Sequence, residues 1–171
     1  MSYRDPTYVV FDGDADGWAY RFMRGWKANE RVDFDFRDAH DLDSMTSRAQ
    51  SEAYVKGQLR ERMRASTAVI VLVGEKTRNL YKFVRWELEL AQALDLPMIA
   101  ANLNNFRMQD TERCPAIIRD KCVMHVAFKM RIIQFGLDEF VKWYRLTATA
   151  ADKAAGWRYY PDTVYQRLGI S

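Results

Sequence analysis

Only two cysteines occur in the 171 residues, Cys114 and Cys122, and they stand in no metal-ligand spacing. That excludes a disulfide framework or a zinc module as the basis of the fold, and the expectation is two free thiols in a reduced cytosol. Long apolar runs are missing as well. None approaches the roughly 18–20 residues of a membrane span, and Met1–Asp14 is too acidic and too poor in apolar residues for a secretory leader. Charge of one sign is also lacking. With a net charge of +3 and scattered basic residues, no nucleic-acid partner is expected. There is no Walker-type loop, no readable Ser/His/Asp set, and the two histidines, His40 and His125, have no partner at catalytic spacing. What is present is ordinary for a folded cytoplasmic protein: 49% hydrophobic and 29% charged residues, in a length that fits one domain with its own core.

Two patterns alternate along the chain. Tyr8–Phe11 is an apolar run stopped by the acidic turn Asp12–Gly17, which reads as a strand and its loop. A helix is expected over Trp18–Asn29, where Trp18, Phe22 and Trp26 recur every four residues on one face. Arg31–Phe36 alternates as a short strand does. The polar stretch Arg37–Ser51 has no period and is long for a loop in a compact domain, a length often found in lids. Helices are expected over Glu52–Ala65 and Tyr81–Leu94, with Ala68–Val73 between them. That run has no polar residue at all, the mark of a strand covered on both faces of a parallel sheet. Pro97–Leu103 and Lys121–Ala127 read as further strands and Arg131–Thr147 as a closing helix. The predicted architecture is an α/β open, doubly wound parallel sheet formed by residues 1–147. Ala148–Ser171 is expected as an appendage packed on the same body. In such sheets ligands sit at the carboxyl ends of strands, here Asp12–Gly17, Arg37–Ser51 and Gly74–Phe83.

Two features could carry chemistry. Asp12, Asp14 and Asp16 open like a calcium loop, but Met23 holds the position where a bidentate Glu belongs. Val10–Asp14 also looks like the nucleophile segment of a magnesium-dependent phosphatase using Asp12 and Asp14, without the second acidic pair that such enzymes need. A phosphorelay receiver would want a lone Asp ending the central strand, where Gly74-Glu75 stands instead. An acid-rich surface turn and a ligand-contacting loop remain open beside these. Glu87 is more informative. At about 100° per residue it falls in the same arc as Phe83, Leu90 and Leu94, while Arg85, Glu89 and Gln92 lie opposite. A carboxylate in an apolar stripe is costly unless paired. Either Glu87 has a structural partner, or it borders a partly apolar pocket that raises its pKa for catalysis.

A resemblance runs through these segments. Val55–Met63, Ser66–Thr77 with its Gly74-Glu75-Lys76-Thr77 strand end, and Phe83–Ala91 centred on Glu87 resemble the TIR-like proteins of the Thoeris anti-phage system, a branch of the TIR superfamily. With the first strand and Pro97-Met98-Ile99, the likeness covers about Tyr8–Asn104. It implies a flavodoxin-like, TIR-type open parallel sheet flanked by helices on both faces. It also implies a function: cleavage of the nicotinamide–ribose bond of NAD, with NAD as substrate and no separate cofactor or metal. The product implied is a cyclic or conjugated ADP-ribose signal that activates an effector protein, on demand from a phage-derived trigger and with assembly into TIR–TIR oligomers. The catalytic Glu of the family falls on Glu87. The pocket aromatic falls on Phe83, where Trp is usual. The covering loop falls on Arg37–Ser51 with Asp38 as its polar contact, and the substrate-facing strand ends fall on Phe11, Asp12 and Gly74. A TIR-like module that only binds other proteins is the alternative.

Overall fold

In the computed structural model, residues 6–28, 51–80 and 82–171 are described. The expected strand Arg31–Phe36 and the loop from Arg37 to Gln50, with Asp38 and His40, lie outside the described residues. Five parallel strands form one sheet in the order β1-β2-β3-β4-β5. They are β1 (Thr7–Val10), β2 (Ala68–Val73), β3 (Met98–Asn102), β4 (Val123–Ala127) and β5 (Arg158–Tyr159). All six residues of β2 are buried, as its unbroken apolar run requires of a strand with a layer on each face. β1 pairs Tyr8 with Val69 in parallel register, and β3 pairs Met98 with Val69 from the other side.

The two faces carry separate cores. On one, Val9, Ile70 and Ile99 pack against helix α1 (Gly17–Lys27) and helix α4 (Met130–Leu146). On the other, Tyr8, Val71 and Ala100 pack against helix α2 (Glu52–Arg64) and helix α3 (Lys82–Ala93). Helices thus flank both faces of an open parallel sheet, as expected. No helix among the described residues is long and apolar enough to cross a membrane. Cys114 and Cys122 are free and buried.

Two details depart from the sequence pattern. The shared face of Trp18 and Phe22 points outward, 48% and 61% exposed, while Ala19, Tyr20 and Met23 face the core. A period of four shows that residues share a face and leaves open which way that face turns. The residues after 147 contribute more than a covering. Beyond the short helix α5 (Ala150–Ala154) they add β5 beside β4 and helix α6 (Asp162–Arg167), whose Tyr165 is fully buried.

Candidate active site

β2 ends at Val73, and Gly74 begins a turn that leads through a 3₁₀ segment, Thr77–Asn79, into α3. Thr77 is buried, and its Oγ1 accepts the Gly74 N–H at 2.7 Å. Its hydroxyl stands 3.3 Å from Asp16 Oδ2 and 3.4 Å from the Leu72 carbonyl, so either oxygen can take its proton. Gly74 is required here for space. A Cβ at this position would overlap the Asp16 carboxylate, which arrives from the loop after β1. Asp16 is 4% exposed, and burial raises its pKa; the Thr77 bond opposes that rise and the neighbouring Asp12 charge adds to it. Asp12 itself shapes the loop. Its Oδ1 accepts the N–H groups of Asp14 and Ala15 at 3.1 and 3.3 Å, and its buried Oδ2 has no hydrogen-bond partner among the described residues. The strand-end cluster therefore unites Asp12, Asp16, Gly74 and Thr77. Beside it a 230 Å³ pocket is walled by Asp16, Trp18, Gly74, Lys76, Leu103 and Arg113, among others.

Glu87 has a different neighbourhood. α3 turns Val84, Leu88 and Ala91 inward, about one residue around from the arc of Phe83, Leu90 and Leu94, and Glu87 belongs to both. The helix lays Glu87 over β1, where the Tyr8 hydroxyl donates to Oε1 at 2.7 Å. Both residues are 1% exposed, and Glu87 Oε2 has no partner among the described residues. Burial pushes the Glu87 pKa up to about 8, with the Tyr8 bond pulling against it. Desolvation and the adjacent Glu87 charge raise the Tyr8 pKa far above the usual phenol value, so Tyr8 remains a donor.

The predicted residues thus fall into separate places. Phe83, 36% exposed, sits one helical turn before Glu87. Asp12 and Gly74 are joined through Asp16, but neither Glu87 nor Phe83 walls the pocket beside them. Phe11 lies on the opposite face of the sheet from Glu87, buried and stacked on Tyr20 at 4.6 Å. His125 is a core residue, with burial lowering its pKa to about 4. Tyr8 and Thr77 were not singled out as site residues in the sequence, and Asp16 only as part of a calcium-like loop, since the contacts that matter cross 79 and 61 residues. The one readable sign was Thr77 closing the Gly-Glu-Lys-Thr strand end. Among the described residues no three His, Cys, Asp or Glu side chains gather as a metal site.

The family model for the Thoeris protein ThsB, TIR-like domain, matches residues 8–107. The chain belongs to this family. The match covers β1 through the loop after β3 and includes Asp12, Asp16, Gly74, Phe83 and Glu87, and it supports a role in Thoeris defence for this TIR-like domain. Among solved structures, a conserved protein from Enterococcus faecalis V583 is similar at 11% identity, with a TM-score of 0.43 over 96% of this chain and 97% of that one. No curated protein matches.

Proposed function

We propose that this ThsB-type domain cleaves the bond between nicotinamide and ribose in NAD. The ADP-ribosyl product then leaves as a cyclic or conjugated signal for a partner effector in Thoeris defence. One observation carries the reading: a carboxylate buried on the apolar face of α3, with one oxygen held by Tyr8 and the other without a partner among the described residues. When the C1′–N bond breaks, its electron pair goes to the nicotinamide ring, which becomes neutral, and positive charge develops on the ribose. A carboxylate at that point stabilises the charge and holds ribose hydroxyls, and its effect is largest where water is excluded. Burial, which pushes the Glu87 pKa up to about 8, favours the protonated carboxyl near neutral pH. The cationic nicotinamide ring favours its ionisation on arrival, so the active charge state is coupled to substrate. Phe83 supplies a ring at the edge of this site, and Asp12, Gly74 and the Asp38 loop supply the remaining substrate contacts. A phage-derived trigger, or assembly with further copies, would open and complete the site.

Glu87→Gln tests this. Nicotinamide release, and signal formation in infected cells, should fall by about 10²–10³-fold or more while the protein stays folded. The near-complete burial of Glu87 favours a second reading, an interaction module in which the Tyr8–Glu87 bond is structural. On that reading the substitution leaves any signal unchanged so long as the fold persists.

A further inference from the structure

Glu87 can act on a ribose only if its carboxyl plane is fixed, because the last torsion of a glutamate side chain is broad and settles in no single well. One donor on one oxygen is enough to fix it. We propose that Tyr8 is the positioning residue of Glu87: its hydroxyl holds Oε1, so that Oε2 is the oxygen turned to the reacting sugar. The inference rests on the NAD-cleaving reading and names the residue that makes it work.

Three observations support it. The phenol sits on a strand whose place is set by its pairing with β2, Tyr8 against Val69, and a tyrosine ring has no flexible stem. The bond is short and shielded, 2.7 Å between two residues each 1% exposed, so water does not compete for either atom. The second oxygen is also open: Oε2 has no hydrogen-bond partner among the described residues, which leaves it the atom able to take a ribose hydroxyl while Oε1 is held. Tyr8 does not itself exchange the proton, because its surroundings hold it in the phenol form.

Tyr8→Phe keeps the ring and deletes only the donor. Two measurements on the full chain read its effect. Carboxyl-carbon NMR of protein labelled at glutamate, with the Glu87 signal assigned by its loss in Glu87→Gln, follows the titration of Glu87 directly. It should move up by about one pH unit or more in Tyr8→Phe, since a hydrogen bond to the charged form is lost. A ring-fluorinated tyrosine at position 8, a stronger donor of nearly the same shape, should move it down. In nicotinamide release from NAD, the acid limb of the kcat profile should shift in the same directions with KM changed no more than about twofold. A folded Tyr8→Phe protein with unmoved Glu87 titration and an unmoved kcat profile overturns the proposal. If the NMR shifts occur while Glu87→Gln releases nicotinamide as fast as the parent, the NAD-cleaving reading has failed, and the positioning role falls with it although the bond itself is real.

Discussion

A glutamate in the second layer of a sheet protein leaves its mark on stability as well as on chemistry. Between the ordinary value of 4.5 and about 8, the folded chain keeps a proton on Glu87 that the unfolded chain has released. The unfolded state binds fewer protons across that window, so this group's contribution to stability is full below about pH 4.5 and is lost as pH rises toward 8. His125 has the opposite slope, since a buried neutral imidazole with a pKa near 4 is destabilising only when acid charges its unfolded counterpart. Glu87→Gln removes the first effect and leaves the second. Urea unfolding should therefore show parent and variant converging below about pH 4.5, with the variant more stable by roughly 3–5 kcal/mol at pH 8. A gap that stays constant with pH would mean that Glu87 is ionised in the resting fold. At this scale the sequence was legible in part. Glu87 announces itself as a charge in an apolar arc, but Tyr8 reads as an ordinary strand residue, because nothing local links two positions 79 residues apart.

Two connecting segments meet where β1 and β2 end. The Asp16 carboxylate fills the space that any side chain at position 74 would need, and Thr77 ties both segments together. Gly74→Ala should cost about 1–3 kcal/mol, the usual range for forcing a methyl into packed groups. In Asp16→Ala the obstruction is gone, so the same Gly74→Ala change should cost less than about half as much. A double-mutant cycle by thermal unfolding measures that coupling directly, and strictly additive losses would refute the contact. The Gly-Glu-Lys-Thr strand end was readable as a turn, whereas the reason for its glycine was not, because the obstructing group comes from another loop. The helices show the same limit. α1 was legible from its spacing of four, yet Trp18 and Phe22 of that face turned out to be exposed while Trp26 packs on the core, with Ala19, Tyr20 and Met23 fitting the sheet.

For the molecule as a whole, the unalternating runs made β2, β3 and β4 legible and with them the parallel architecture, whereas β5 was not. Two residues of strand carry no periodicity, and Arg158–Tyr159 is held by tertiary context. Tyr165 is the anchor of that context. It is fully buried, its hydroxyl accepts the Ala127 N–H at 3.1 Å at the end of β4, and the Arg107 guanidinium lies over its ring at 4.3 Å. Tyr165→Phe should cost about 1 kcal/mol by leaving that N–H unpaired, and Tyr165→Ala about 3–5 kcal/mol. Urea unfolding checks both, and a neutral Tyr165→Ala would show that residues after 147 only rest on the sheet. The strand order has one more consequence, in the time domain. Thr7 pairs with Ala68, whereas Val69 pairs with Met98 and Met98 with Val123, so docking β1 closes a loop about twice as long as its neighbours do. Each doubling costs about 0.6 kcal/mol of chain entropy, a bias of about threefold toward assembling β2, β3 and β4 first. The strand that brings Tyr8 to Glu87 is thus the one the growing sheet is slowest to recruit, and the carboxylate gains its only described hydrogen bond late in folding.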